Sequence, residues 1–309
     1  MSMSTVDSPA AGPAAGRTAG PAVVDGSATG YRPTRTLTFR TELRRQASRR
    51  RTQLTLGFMV VLPLIILFAF ELGARNGNRR GGRSNQFAAL ADIATSGGLN
   101  FALFTLLVSA GFLLIVVVAL FHGDTVASEA SWGSLRYLLA VPVPRARLLG
   151  SKLLVAMASS ALALVLLTGT ALVAGTLRYG WHPLRTTVAG DISTGTAALR
   201  LAIIVGYLAV SLLVVASLAF LLSVSTDAPL GAVGGAVLLQ ILSNILDQIT
   251  ALGSLRLILP THYATAWFGL LSNPVQTDDM VKGAISALVY STLFFSLAWY
   301  RFLRKDVVS

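Results

Sequence analysis

Six apolar runs, each close to twenty residues long, decide what this chain can fold into. They are Leu54–Leu72, Leu99–Phe121, Leu153–Leu177, Ala197–Leu222, Pro229–Leu246 and Lys282–Phe302. A helix of about 20 mostly apolar residues spans the hydrocarbon of a bilayer. Helices buried inside a soluble protein would not need six such lengths in one chain. Composition points the same way: 54% of residues are hydrophobic and 12% charged, and the mean hydropathy is +0.68. Soluble domains carry roughly 25% charged residues. The expected fold is an all-α membrane protein with six transmembrane helices.

The charge that remains is one-sided. The net formal charge is +12, with 25 Lys and Arg against 13 Asp and Glu. Much of the positive charge flanks apolar runs, which fits cytoplasmic loops and anionic lipid better than nucleic acid. Arg35, Arg40, Arg44, Arg45, Arg49, Arg50 and Arg51 precede the first run, and Arg301, Arg304 and Lys305 follow the last. The loop between runs two and three holds Arg136, Arg145, Arg147 and Lys152. Both termini and that loop are therefore expected in the cytoplasm of a multi-pass plasma-membrane protein. Arg75, Arg79, Arg80 and Arg83 in the first outer loop run against this rule.

Outside the spans, residues 1–35 are rich in Ala, Gly, Pro, Ser and Thr and are expected to form a disordered cytoplasmic tail. The transmembrane domain then covers residues 36–309. Residues 36–52, TLTFRTELRRQASRRRT, set Leu37, Phe39 and Leu43 among arginines, as in a helix lying in the membrane interface. Before the last run, LRLILPTHYATAWFGLLSNP is apolar but broken by Pro260. Each half is too short to span. This suits a re-entrant outer segment with Tyr263 and Trp267 at headgroup level.

Several chemistries find no support. The three lysines follow Ser151, Val281 and Arg304, never a glycine, so no P-loop for nucleotide phosphate is present. His122, His182 and His262 lie about sixty or more residues apart, which excludes a two-histidine zinc helix. There is no cysteine and no Gly-x-Ser-x-Gly elbow. Glu71, His122, Arg200 and Asp247 sit near the ends of runs, where side chains are expected to reach water. An ion-driven carrier would show an acid at mid-membrane. Ser159, Ser160, Ser211 and Ser217 are the polar residues left inside, and Gly231 and Gly235 form a Gly-x-x-x-Gly packing step.

The segment between runs two and three, SEASWGSLRYLLAVPVPRARLLGSK, is polar and patterned. Leu135, Leu138 and Leu139 fall at helical spacing. Ser128 or Ser131 is suited to cap a short helix, with Glu129 at its positive end, and Pro142 and Pro144 stop it. Read with LLGSKLL after it, the segment resembles the cytoplasmic loop of the ABC-2 type permeases, the membrane subunits of ATP-binding-cassette exporters. Three further stretches are similar to that family: TELRRQASRRRT before a span with Pro63, LPTHYATAW before the last span, and FLRKDVVS at the end.

This resemblance implies a permease without its own ATPase site, and so not an enzyme by itself. Two copies, or two related chains, would pair with a separate ATP-binding subunit that carries ATP and Mg. The permease itself would need no cofactor. By the same resemblance, Glu129, Trp132, Gly133, Ser134, Leu135, Arg136, Leu138 and Leu139 form a coupling helix against that ATPase. Pro142, Arg145 and Lys152 would anchor it at the membrane surface. The expected cargo is hydrophobic or amphipathic. The alternative is a secondary transporter driven by an ion gradient.

Overall fold

The computed structural model describes residues 39–75, 92–131, 145–186 and 190–304. These form a helical bundle with one small hairpin. Helix α1 is Phe39–Ala47 and α2 is Arg50–Arg75. Next come α3 (Gly98–Ala110), α4 (Leu113–Ser131) and α5 (Arg145–Tyr179). Strands β1 (Leu184–Thr186) and β2 (Gly190–Ile192) pair antiparallel, Arg185 opposite Asp191. Then follow α6 (Thr194–Ser211), α7 (Leu213–Ser225) and α8 (Pro229–Gln248). Two 3₁₀ helices, Thr250–Ile258 and Ala266–Leu271, precede α9 (Asp278–Arg304).

Six helices are long and apolar enough to cross a membrane, with α6 and α7 counted as one. The protein is an all-α, multi-pass membrane protein. The chain crosses the bundle six times, and its described ends, α1 and the last turn of α9, lie at the same end, here the α1 end. The hairpin and the 3₁₀ helices lie at the other, here the hairpin end. The expected six crossings hold, but two are broken. The second is α3 and α4, interrupted at Gly111–Phe112, and the fourth is α6 and α7, interrupted at Leu212.

Two crossings are also longer than their apolar runs. The second continues past Phe121 to Ser131 through His122, Asp124 and Glu129. The third begins at Arg145, eight residues before the run that marks it. Its 35 residues make about 52 Å of helix at 1.5 Å per residue, well beyond the ~30 Å of hydrocarbon. Charge at its start can thus stand outside the lipid.

Burial orders the bundle. In α4, 72% of the span is buried, against 11% in α2 and in α8. Helix α4 is therefore the central element, packed on α5, α7 and α8. Close approach depends on glycines. A Cβ on Gly123 of α4 would lie 2.8 Å from Val233 Cγ2 on α8, and one on Gly98 of α3 would lie 2.7 Å from the Thr176 nitrogen of α5. The Gly231 and Gly235 step makes no comparable contact with another backbone. Gly180 ends α5 with φ +81°, and its carbonyl accepts the Gly98 amide at 2.9 Å. That bond seats the start of α3 against the end of α5.

The segment before the last helix departs from expectation in one respect. It bends around Pro260 between the two 3₁₀ helices, and Leu255, Leu257 and Ile258 are exposed. Trp267 is 2% exposed and packs into the main core rather than facing outward.

Candidate functional site

The densest charged constellation lies at the α1 end, where α1, α2, α4 and α5 meet. A nine-residue helix such as α1 is marginal in isolation. Glu42 in its first turn and Arg44 and Arg45 in its last suit the helix dipole. What holds it to the bundle is Glu42, which turns inward and is 6% exposed. The inward face of this helix is thus polar, while Phe39 faces out.

Lys152 of α5 is the centre. Its Nζ lies 2.5 Å from Glu129 Oε1 and 3.3 Å from Glu42 Oε1. Lys152 is 4% exposed and Glu129 0%. Arg45 adds a second cation 3.3 Å from Glu129 Oε1. One turn and a half earlier on α4, Asp124 takes Arg51 at 2.5 Å and Arg49 at 3.4 Å. The crevice between Glu42, Arg49, Thr125 and Lys152 measures about 10 Å³, room for a single water at most. The group is closed, and each of its acids is paired within it. A buried charge is costly unless it is paired, and here three acids are shared among four bases. Ser223 of α7 adds a neutral tie: its Oγ accepts the amides of Val126 and Ala127, both at 3.0 Å.

This network sits at the base of the patterned segment. Trp132, Gly133, Ser134, Leu135, Arg136, Leu138, Leu139 and Pro142 lie outside the described residues, as does the tail 1–35. Their two flanks are described, and both differ from expectation. Ser128, Glu129 and Ser131 do not start a separate helix. They form the last turns of α4, where the Ser128 hydroxyl donates to the Asp124 carbonyl at 2.6 Å. Glu129 pairs with Lys152 and Arg45 of its own chain. Arg145 is the first residue of α5. Lys152, expected as a surface anchor, is drawn inward because two carboxylates neutralise it.

Glu71, Asp247 and Arg200, singled out near the ends of runs, each have a partner. Glu71 holds Arg178 at 2.8 Å, and Asp247 holds His262 at 2.6 Å and Arg256 at 3.6 Å. Arg200 donates to the Leu270 carbonyl at 2.6 Å. His122, expected to reach water, is completely buried. Among the described residues no three His, Asp or Glu side chains are placed to hold a metal.

Glu42, Asp124, Arg49 and Arg51 had not been singled out as a group. A signal was present, because Asp124 and Glu129 close an apolar run and must meet cations, and the arginines before α2 are the nearest large supply. What the sequence does not provide is which arginine meets which acid.

A multi-pass bundle with a charged clamp at one end defines a broad class of helical membrane proteins. Over residues 58–308 the chain matches the family described as "Protein of unknown function (DUF2705)", and it belongs to that family. No curated protein shows a significant match to it.

Proposed function

We propose that this protein is the membrane-spanning permease subunit of an ABC-2 type ATP-binding-cassette transporter, exporting a hydrophobic or amphipathic substrate. A separate subunit binds and hydrolyses ATP with Mg, and two permease copies form the transmembrane unit. The observation that carries the reading is the buried Glu129–Lys152 pair, 2.5 Å long. It ties the helices on either side of residues 132–144, the segment whose pattern resembles the ATPase-docking loop. A push on that segment moves α4 and α5 as one body, and α4 passes the motion to α7 and α8, on which it packs. The six crossings, with both described ends on one side, agree with this family's architecture.

The orientation proposed is α1 end inward, in the plasma membrane. That end holds Arg40, Arg44, Arg45, Arg49, Arg50, Arg51, Arg147, Lys152, Arg301 and Arg304. The described part of the hairpin end has fewer cations, namely Arg75, Arg178, Arg185, Arg200, Arg256 and Lys282.

The test is reconstitution with a candidate ATP-binding-cassette ATPase subunit. Gly133→Asp and Leu135→Asp should abolish transport while ATP hydrolysis and membrane insertion persist. Unchanged transport in both variants counts against the docking role. Transport by the pure chain under a proton or sodium gradient, without ATP, favours a secondary transporter instead.

A further inference from the structure

Helix α1 divides its charges between two surfaces. Glu42 turns into the bundle and meets Lys152, and Arg45 reaches Glu129. Arg40 and Arg44 each lie about 160° round the helix from Glu42. Both are exposed, and among the described residues neither has an ion pair. They stand four residues apart, so they are neighbours on the helix surface and repel one another. Glu42 is the only acid in α1, and it is occupied inside. A nine-residue helix is marginal alone, and this repulsion weakens it further. The outer face of α1 lacks a counter-ion.

Helix α2 marks the depth at which that face stands. Arg50 opens it, exposed and likewise without an ion pair among the described residues. Leu54 and Phe58 follow in steps of four, on the same face. Leu54 is 75% exposed, and Phe58 is exposed too. On a spanning helix such a face meets acyl chains. Leu54 lies about 6 Å along the axis from Arg50, so Arg50 stands where hydrocarbon gives way to headgroups. Helix α9 repeats the order in reverse at the same end, with exposed Leu293 and Leu297 leading to exposed Arg301. At the hairpin end, by contrast, the exposed cations Arg178 and Lys282 have carboxylates of their own, Glu71 and Asp279.

We propose that the corner of α1 and α2 is a docking surface for anionic phospholipid headgroups, with Arg40, Arg44 and Arg50 meeting phosphate oxygens, and that this contact holds α1 against the bundle. Guanidinium and phosphate form strong charge-assisted hydrogen bonds. The lipid's tails cover Leu54 and Phe58 below. A zwitterionic lipid carries the same phosphate, but its ammonium cancels the charge of the surface. An acidic protein segment offers the arginines a partner and the apolar face none. The cytoplasmic leaflet is the anionic one, which agrees with the α1 end facing inward. The proposal goes beyond the transport reading, and its test contains neither ATP nor ATPase.

The full chain in phosphatidylcholine nanodiscs is irradiated with a trace of phosphatidylglycerol that bears a diazirine near its headgroup. Labelled peptides are mapped by mass spectrometry. Saturable labelling of residues 39–58 is expected. Unlabelled phosphatidylglycerol should displace it, while added phosphatidylcholine and inorganic phosphate should not. Arg40→Gln and Arg44→Gln should each raise the half-saturating lipid fraction about fivefold, the share of one cation at a charged surface. Lys282→Gln, which removes a cation already paired, should not. If the variants do not insert, the wild type still decides, because its preference should fall as salt rises. Hydrogen exchange in residues 39–47 should slow when phosphatidylglycerol replaces phosphatidylcholine. Equal displacement by phosphatidylcholine, or unchanged half-saturation in both variants, overturns the docking surface and leaves the arginines to an acidic protein. Displacement by inorganic phosphate makes it a site for free anions instead. Exchange indifferent to lipid charge overturns the hold on α1.

Discussion

The two ends of the bundle are held together by different chemistry. At the α1 end the ties are ion pairs between side chains on regular helices, joining residues as far apart as Glu42 and Lys152. At the hairpin end the main ties run from helix side chains to irregular backbone. Tyr207 and Tyr290 donate to the carbonyls of Tyr263 and Ile258, at 2.5 and 2.6 Å, and Arg200 donates to that of Leu270. Asn100 bonds the Arg185 main chain in both directions, at 2.7 and 3.1 Å. The difference follows from local structure. Helix carbonyls are mostly satisfied internally, so helices meeting each other offer chiefly side chains. Turns and 3₁₀ segments leave main-chain groups over, and buried ones must be paired. One end is thus a clamp specific to charge, and the other is stitched by neutral or singly charged donors.

The largest effect is expected at the centre of the clamp. Lys152→Met removes the cation that Glu42 and Glu129 share. Losing one partner of a buried pair costs about 3–5 kcal/mol. Denaturant unfolding in mild detergent should show the loss. Adding Glu129→Leu should restore much of it, because an apolar pair of similar volume is often as stable as a buried ion pair. If Lys152→Met unfolds at the wild-type denaturant concentration, the α1 end is not a clamp.

At the hairpin end the corresponding break is Asn100→Leu. It removes two hydrogen bonds worth about 1 kcal/mol each. The expected loss is therefore smaller, and salt should not change it. Hydrogen exchange should rise locally in residues 184–186 and 190–192, with the α1 end unaffected. Protection lost equally at both ends would remove the distinction between them.

Span number and the return of the chain to its starting side were legible, because each rests on a local run of twenty residues. The break at Gly111 had a local sign in the glycine, while the one at Leu212 had none. The run ending at Phe121 concealed three more turns of helix, since His122, Asp124 and Glu129 read as loop until their partners are known. Two of those partners, Arg51 for Asp124 and Arg45 for Glu129, are 73 and 84 residues away, a separation no periodicity can reach. That Trp267 packs into the main core was not legible either, because its aromatic ring reads equally as an interface anchor. The same core packing conceals the Arg185 backbone that Asn100 serves.

The smallest effect sharpens the comparison most. Glu71 and Arg178 form a two-pronged pair at the hairpin end, with contacts of 2.8 and 2.9 Å. By distance this pair is better made than Lys152 with Glu42. Its side chains are 22% and 53% exposed, however, against 4% and 8% for Lys152 and Glu42. Water and salt screen such a pair, and most exposed pairs contribute little. Glu71→Gln should therefore leave the unfolding midpoint nearly unchanged, and any small loss should vanish in 1 M salt. Lys152→Met should keep its full effect at the same salt concentration, because its partners are shielded from ions. If Glu71→Gln proves as damaging as Lys152→Met, then distance rather than burial governs these ties, and the two ends differ only in arrangement.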